Sequence, residues 1–332
     1  MAAPAPSSEA VRWGAWLAVG LTALASLPAA AAGDGQIGGR VIDRTAPAHA
    51  LAGQVVRLAI IERATSEERT TLSDAAGSFR FSGLPVGGIR LFVIGTDYRG
   101  VRYTGNRLTL NPEARTRAEE LSVYEASSDR SAMRATTAFA VVDIAPGALR
   151  IRAVQRFENP SDRTIVIPPR DPLTFPLPAG AESVIFLAGW RDPRLDGGRI
   201  TDALPLLPGV TQVAYAYGLR ATRREVIVPW LLPYGAIDVE MLVSDAGVEV
   251  TGDGLRARGN LPGPSGQRFL RFSGGPIPSQ GAVMLRLRNV PSARNPWPAG
   301  VTLVLALVLA AGLAAALRGP ARPAADTPRR GS

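Results

Sequence analysis

Apolar and polar residues alternate in short runs along most of this chain. Leu149, Ile151, Ala153 and Phe157 alternate with Arg150, Arg152 and Arg156. Ile237, Val239, Met241 and Val243 alternate with Asp238 and Glu240, and Val283, Leu285 and Leu287 with Arg286 and Arg288. A period of two marks a strand with one buried and one wet face. Shorter β-type runs fall at Gly39–Ile42, Val55–Ile61, Thr70–Ser73, Ser78–Phe81, Ile89–Gly95, Val101–Thr104, Arg107–Leu110 and Ala118–Tyr124. Others fall at Thr164–Ile167, Ser183–Leu187, Thr211–Tyr217, Glu225–Val228, Val248–Thr251 and Arg268–Phe272. Turn chemistry separates them: Asp74–Ala75–Ala76–Gly77, Gly83–Leu84–Pro85, Gly87–Gly88. Strands recurring about every ten residues predict β-sandwiches. Residues 36–125 form a first such region and 136–291 a second, larger one with a long insertion at Ala188–Leu207. The polar, patternless stretch 126–135 reads as a linker.

Two stretches break this pattern. Near the N-terminus, Arg12 precedes an uncharged run from Trp13 that Pro28 ends, and Ala29 to Ala32 supply small residues. This predicts a signal peptide over 1–32. An uncleaved anchor helix is the alternative, and the early Pro28 argues against it. Near the C-terminus, Asn295 to Leu317 holds 23 residues without a charge. As helix it would span about 34 Å, enough to cross a bilayer. The expected transmembrane helix covers 297–317. Trp297 sits at its outer interface, and Arg318 and Arg322 open a basic tail, 318–332. The excess of Arg on that side predicts a cytoplasmic C-terminus, with the bulk of the chain periplasmic or extracellular.

Composition then narrows the function classes. Cysteine is absent, so disulfides, thiolate metal sites and lipid attachment at Cys are excluded. All 37 basic residues are Arg. Between residues 33 and 296, 32 of them stand against 26 carboxylates, scattered and without interleaved aromatics. Nucleic-acid binding is therefore not expected, because it needs a clustered footprint.

Several of these residues carry a family resemblance. Gly39–Arg40–Val41–Ile42–Asp43 leads to Gly53–Gln54–Val55–Val56–Arg57–Leu58. Then come Thr71–Leu72–Ser73–Asp74–Ala75–Ala76–Gly77–Ser78–Phe79–Arg80–Phe81 and Gly83–Leu84–Pro85–Val86–Gly87. This stretch resembles the carboxypeptidase regulatory-like domain, a seven-stranded transthyretin-like sandwich. The resemblance covers roughly residues 36–125 and implies a stalk, spacer or adhesive module, not a catalytic one. Pro205 to Tyr217 resembles a segment of bacterial membrane-anchored envelope proteins that join such a domain to a C-terminal helix. The expected fold class is all-β: two tandem antiparallel β-sandwiches, the first prealbumin/Ig-like, plus one C-terminal transmembrane helix.

Candidate chemistry is sparse. His49 is the single histidine, and Ala50–Leu51–Ala52 follows it, so a His-x-x-Glu zinc pair is absent. Asp192 and Asp196 share a Gly-rich loop that offers oxygen to calcium but more commonly only forms a turn. Asp238 and Glu240 are expected to meet cross-strand Arg. No Gly-x-Ser-x-Gly elbow occurs. No catalytic, cofactor-binding or metal-binding residue is assigned, and no cofactor is expected. Trp190, Trp230 and Tyr234 are candidate ligand contacts, and Trp230 and Tyr234 are expected exposed in a Pro-rich turn. Tyr215 and Tyr217 are expected to fill the core.

The expected function is a non-enzymatic, membrane-anchored extracytoplasmic module that binds or scaffolds an envelope protein partner. Alternatives are a carbohydrate-binding module that takes a polysaccharide on exposed aromatics, and an accessory subunit of an envelope enzyme.

Overall fold

A computed structural model of the chain describes residues 33–63, 65–263 and 266–291. The expected signal peptide, the transmembrane helix, Trp297, Arg318 and Arg322 lie outside them. Among the described residues no helix is long and apolar enough to cross a membrane. What is described is all-β.

The first unit contains β1 (Gly35–Asp43), β2 (His49–Ala50), β3 (Val55–Glu62), β4 (Thr65–Leu72), β5 (Ser78–Leu84), β6 (Arg90–Tyr98), β7 (Val101–Leu108) and β8 (Thr116–Val123). β1 is flanked by β5 and the short β2 on one side and by β8 on the other. The facing sheet runs β4-β3-β6-β7. Strict alternation fills the space between them. Val56, Leu58 and Ile60 of β3 and Phe92 and Ile94 of β6 meet Ile37, Val41, Phe79, Phe81 and Leu121 from the other sheet, all buried. The expected break between two strands at residues 104–107 does not occur, because β7 continues through it as far as Leu108.

The turn read from Asp74 to Gly77 forms as its chemistry requires. Asp74 Oδ1 accepts the amides of Ala76 and Ser78 at 2.9 and 2.8 Å. Gly77 takes φ 72°, and a Cβ there would stand 2.8 Å from the Val41 carbonyl oxygen.

The second unit contains β9 (Ala126–Ser127), β10 (Arg134–Ala145), β11 (Ala148–Asn159), β12 (Thr164–Ile165), β13 (Leu173–Pro176), β14 (Glu182–Ala188), β15 (Arg194–Asp196) and β16 (Arg199–Asp202). It continues through β17 (Gly209–Arg220), β18 (Val226–Leu232), β19 (Asp238–Ser244), β20 (Glu249–Gly252), β21 (Leu255–Pro262), β22 (Arg268–Gly274) and β23 (Gly281–Arg288). One layer is a seven-stranded sheet in the order β14-β17-β11-β10-β19-β22-β21. Its inner face packs with two three-stranded sheets, β13-β16-β15 and β18-β23-β20, around one core. Tyr215, Tyr217, Phe157 and Phe175 are all about 1% exposed or less there.

Three features correct the expected plan. The sandwiches are not purely antiparallel: β1 with β8, β9 with β12, and β10 with β19 pair in parallel. The insertion 188–207 is not a bare loop. It folds as the β15–β16 hairpin and joins β13. The stretch read as a linker carries β9 and the first residues of β10, because its backbone finds partners in β12 and β11.

The two units touch where β12 and its flanks meet the end of the first unit at Tyr103 and at Tyr124–Glu125. Thr164 donates its amide to the Glu125 carbonyl at 2.9 Å, and Val166 donates to that of Ser127 at 2.8 Å. The Tyr103 hydroxyl donates to the Tyr124 carbonyl at 2.8 Å and lies 2.7 Å from Thr164 Oγ1. Val166 and Leu207 pack against the first core.

Asp43, 1% exposed, lies near this junction. It accepts the Thr45 amide at 2.8 Å, and the Tyr98 hydroxyl lies 2.8 Å from Asp43 and 2.9 Å from Glu125. Burial raises the Asp43 pKa, but the Thr45 and Tyr98 hydrogen bonds outweigh it, and the net shift is downward. Burial and then the two carboxylates push Tyr98 up to about 12. A depressed carboxylate stabilises the fold above its unfolded pKa, and that contribution is lost as pH falls from about 4 through the lower folded value. Asp43→Asn is expected to flatten the fall in stability over that window. Denaturant midpoints at about pH 6 and about pH 3 check it; an equal drop in both proteins would contradict it.

Candidate functional site

The outermost strand of the seven-stranded sheet, β14, has the local chemistry of a docking edge. Among the described residues it pairs with β17 alone. Its register slips between Glu182 and Ile185 and again between Phe186 and Ala188, and between the slips its side chains alternate between the two faces. Ile185 stands opposite Ala216 on the outer face, while Phe186 stands opposite the buried Tyr215. Ile185, Phe186 and Leu187 are nevertheless 55, 37 and 41% exposed.

The sheet's other edge is protected in the usual way: β21 carries the exposed Arg256 and Arg258 and ends at Pro262. β18, at the edge of its own sheet, carries Pro229. From Val184 to Ala188, β14 has neither charge nor proline.

A groove of about 400 Å³ adjoins β14, lined by Leu177, Pro178, Ala181, Val184 and Leu195. Through Leu177, Gly197 and Gly198 it runs into a second cleft of about 570 Å³. That cleft is polar, with Arg130, Asp171, Arg199, Tyr234 and Gln280 in its wall. Arg130 and Asp171 form an ion pair at 3.1 Å. The Tyr234 hydroxyl accepts the Thr174 amide at 2.6 Å, and burial raises the Tyr234 pKa, so it stays a neutral wall element. A groove walled by apolar side chains and exposed backbone, beside a free sheet edge, can take an extended segment: the edge supplies backbone hydrogen bonds and the groove takes alternate side chains.

The aromatics singled out in sequence do not form an exposed platform. Trp230 is 3% exposed, because it lies within β18 and points inward with Val228 and Leu232; the expectation of an exposed turn is corrected. Trp190 is half-buried. It donates its indole N–H to the Ala214 carbonyl at 2.7 Å and meets Phe175 edge-on at 5.4 Å. Tyr234, also half-buried, meets Phe157 and Phe175 edge-on at 5.5 and 5.8 Å. Trp190 and Tyr234 are thus brought together only through Phe175.

The other candidates resolve into structural contacts. Glu240 pairs with Arg271 of the neighbouring strand at 2.7 Å. Asp192 approaches Arg194 at 3.4 Å, and the loop is held instead by the buried Asp202, which accepts the amides of Arg191 and Asp192 at 2.8 and 3.3 Å. His49 is exposed, with Nδ1 3.3 Å from the Pro47 carbonyl oxygen. Among the described residues no three His, Cys, Asp or Glu side chains cluster to hold a metal ion. Sequence reasoning placed a strand at Ser183–Leu187 but missed it as a site. The available signal was the uncharged apolar run Val184–Ala188, closed by Gly189.

No protein-family model matches the chain. No curated protein matches it in sequence. Among solved structures it is similar to an M1 zinc metallopeptidase from Deinococcus radiodurans bound to a Tyr-Ser-Ala substrate. Identity is 12% and the TM-score 0.31, over 48% of this chain and 43% of the peptidase. The match therefore spans less than half the length of that structure, and a likeness at this level carries no function across.

Proposed function

We propose that this chain is a non-enzymatic, membrane-anchored module of the cell envelope. Its second sandwich binds an envelope protein partner by accepting an extended segment along β14. The observation that carries this reading is the uncharged, proline-free edge at Val184–Ala188, with three exposed apolar side chains and a groove beside it. The β21 and β18 edges of the same unit are blunted, which sets this one apart. The membrane part of the reading rests on the uncharged run 295–317 and the signal-like segment 1–32. The resemblance of residues 36–125 to a spacer or adhesive module supports the same reading.

The test is crosslinking in intact cells from a photoreactive residue in place of the exposed Leu187, followed by mass spectrometry of what is captured. One envelope protein, recovered repeatedly, is the expected result. Ile185→Lys is expected to cut that capture by more than about tenfold and to leave the melting temperature unchanged, because the side chain is exposed. Recovery of glycan alone, of nothing, or of the same protein at the same yield from I185K would remove the reading.

A further inference from the structure

We infer that the end of the second sandwich next to Pro291 is a surface for the phosphate headgroups of an anionic membrane leaflet. This rests on reading residues 295–317 as a membrane span.

The observations begin with where the described chain ends. Pro291 is held in the fold: its carbonyl accepts the Gly147 amide at 2.9 Å, in the turn between β10 and β11. Val290 donates to the Arg224 carbonyl at 3.0 Å, which ties the loop between β17 and β18 to the exit of the chain. The uncharged run opens four residues later, at Asn295. Fully extended, that gap reaches at most about 14 Å. Any membrane entered there lies close beneath this end of the sandwich.

That end is cationic. Arg223 and Arg224 are exposed, and among the described residues neither has an ion-pair partner. Arg286 and Arg288 both reach the carboxylate of Glu225, at 3.0 and 3.6 Å, and Glu249 stands opposite Arg288 in the β20–β23 ladder. Arg220 meets Glu182 at 3.3 Å. Guanidinium groups match phosphate oxygens with paired donors, which a carboxylate-lined or apolar surface would not do. Ile227, 46% exposed and in register with Arg286, adds an apolar contact on the same face. The opposite end of β11, at Asn159, leads to the contact with the first sandwich. The end that carries Arg223 and Arg224 and the first sandwich therefore lie at opposite ends of the strands.

The absence of cysteine makes the test direct. The full chain is reconstituted into vesicles with a fluorophore on Thr222→Cys, or on Ser66→Cys of the first sandwich, and quenched by headgroup-labelled lipid. Alkaline extraction of the same vesicles reports insertion. In phosphatidylglycerol vesicles the Thr222→Cys label is expected to be quenched and the Ser66→Cys label spared. Quenching is expected to fall in about 0.5 M salt, which screens such contacts. R223E/R224E is expected to reduce the docked-to-undocked ratio by at least about 25-fold, from about fivefold per arginine near an anionic leaflet.

Equal quenching on neutral phosphatidylcholine, or unchanged quenching in R223E/R224E, with the chain resisting extraction, overturns the inference and leaves the span intact. Release of the label by micromolar inorganic polyphosphate from inserted protein assigns the site to a soluble polyanion and overturns the lipid as occupant. A chain that extracts at alkaline pH loses the span, and the inference with it.

Discussion

Replacing Trp230 with alanine is expected to destabilise the second sandwich by about 4 kcal/mol. Trp230 is 3% exposed. It stands opposite Val283 in the β18–β23 ladder, inside a core that includes Phe157, Phe175 and Tyr215. Truncation removes the indole's transfer energy and leaves a cavity that two flanking layers of strands can only partly close. For a unit of this size the loss corresponds to a fall of about 10 °C in its thermal midpoint. Calorimetry of the full chain reads this directly. A sugar-stacking role at the surface makes the opposite forecast, with little change in melting and loss of glycan binding. A midpoint within about 2 °C of the parent would return Trp230 to the surface.

The largest effect in the first sandwich is expected at Gly39. Its strand, β1, has a partner on each side, β5 through Phe79 and β8 through Glu119. A Cβ at Gly39 would stand 1.7 Å from the Glu119 carbonyl oxygen and 2.8 Å from Phe79 Cζ. Backbone cannot yield by that much without breaking the parallel ladder. Gly39→Ala is expected to cost more than about 4 kcal/mol and to unfold the first sandwich alone. Gly38→Ala is the control, since its Cβ would meet its neighbour, the Phe79 carbonyl oxygen, at 3.2 Å. Hydrogen exchange resolves the outcome: amides of β1 and β8 lose protection in G39A, while those of β11 and β17 keep it. Uniform protection in G39A would mean that the sheet tolerates a side chain there.

These two residues also mark how far sequence patterning reaches. Strands whose two faces see different surroundings were legible from alternation alone. β3, β6, β19 and β23 are of this kind, and their buried positions are those the alternation selects, whereas β11 departs from it at Arg152, which the alternation places on the wet face and which is buried beside Asp143. The turn at Asp74–Gly77 was legible because its chemistry is local. β10 was not, since Val141 and its neighbours Ala140 and Val142 are all buried and the two-residue period vanishes. β21 was lost for the converse reason: it is almost wholly exposed. Trp230 was misread because Pro229 and Pro233 look like turn punctuation. On an edge strand the missing proline N–H can face away from the ladder, so β18 absorbs Pro229. The β14 site shares the deepest obstacle. Its residues announce a strand, but whether a strand ends at an edge is decided by pairings among segments far apart in sequence, and alternation carries no record of those.

The long strands of the second sandwich have a mechanical consequence. β11 has 12 residues, so at about 3.3 Å per residue it spans about 40 Å between the two ends of the unit. The chain enters from the first sandwich at the start of β10 and leaves through the end of β23, and both strands run toward Pro291. Tension between a tethered C-terminus and a partner held farther out would therefore pull these strands lengthwise in opposite senses. Ladder hydrogen bonds lie across the strands, so such a load falls on many of them together instead of opening them one after another. Under such a pull the sandwich would resist as a unit, with β14 a lateral strand outside the load-carrying path.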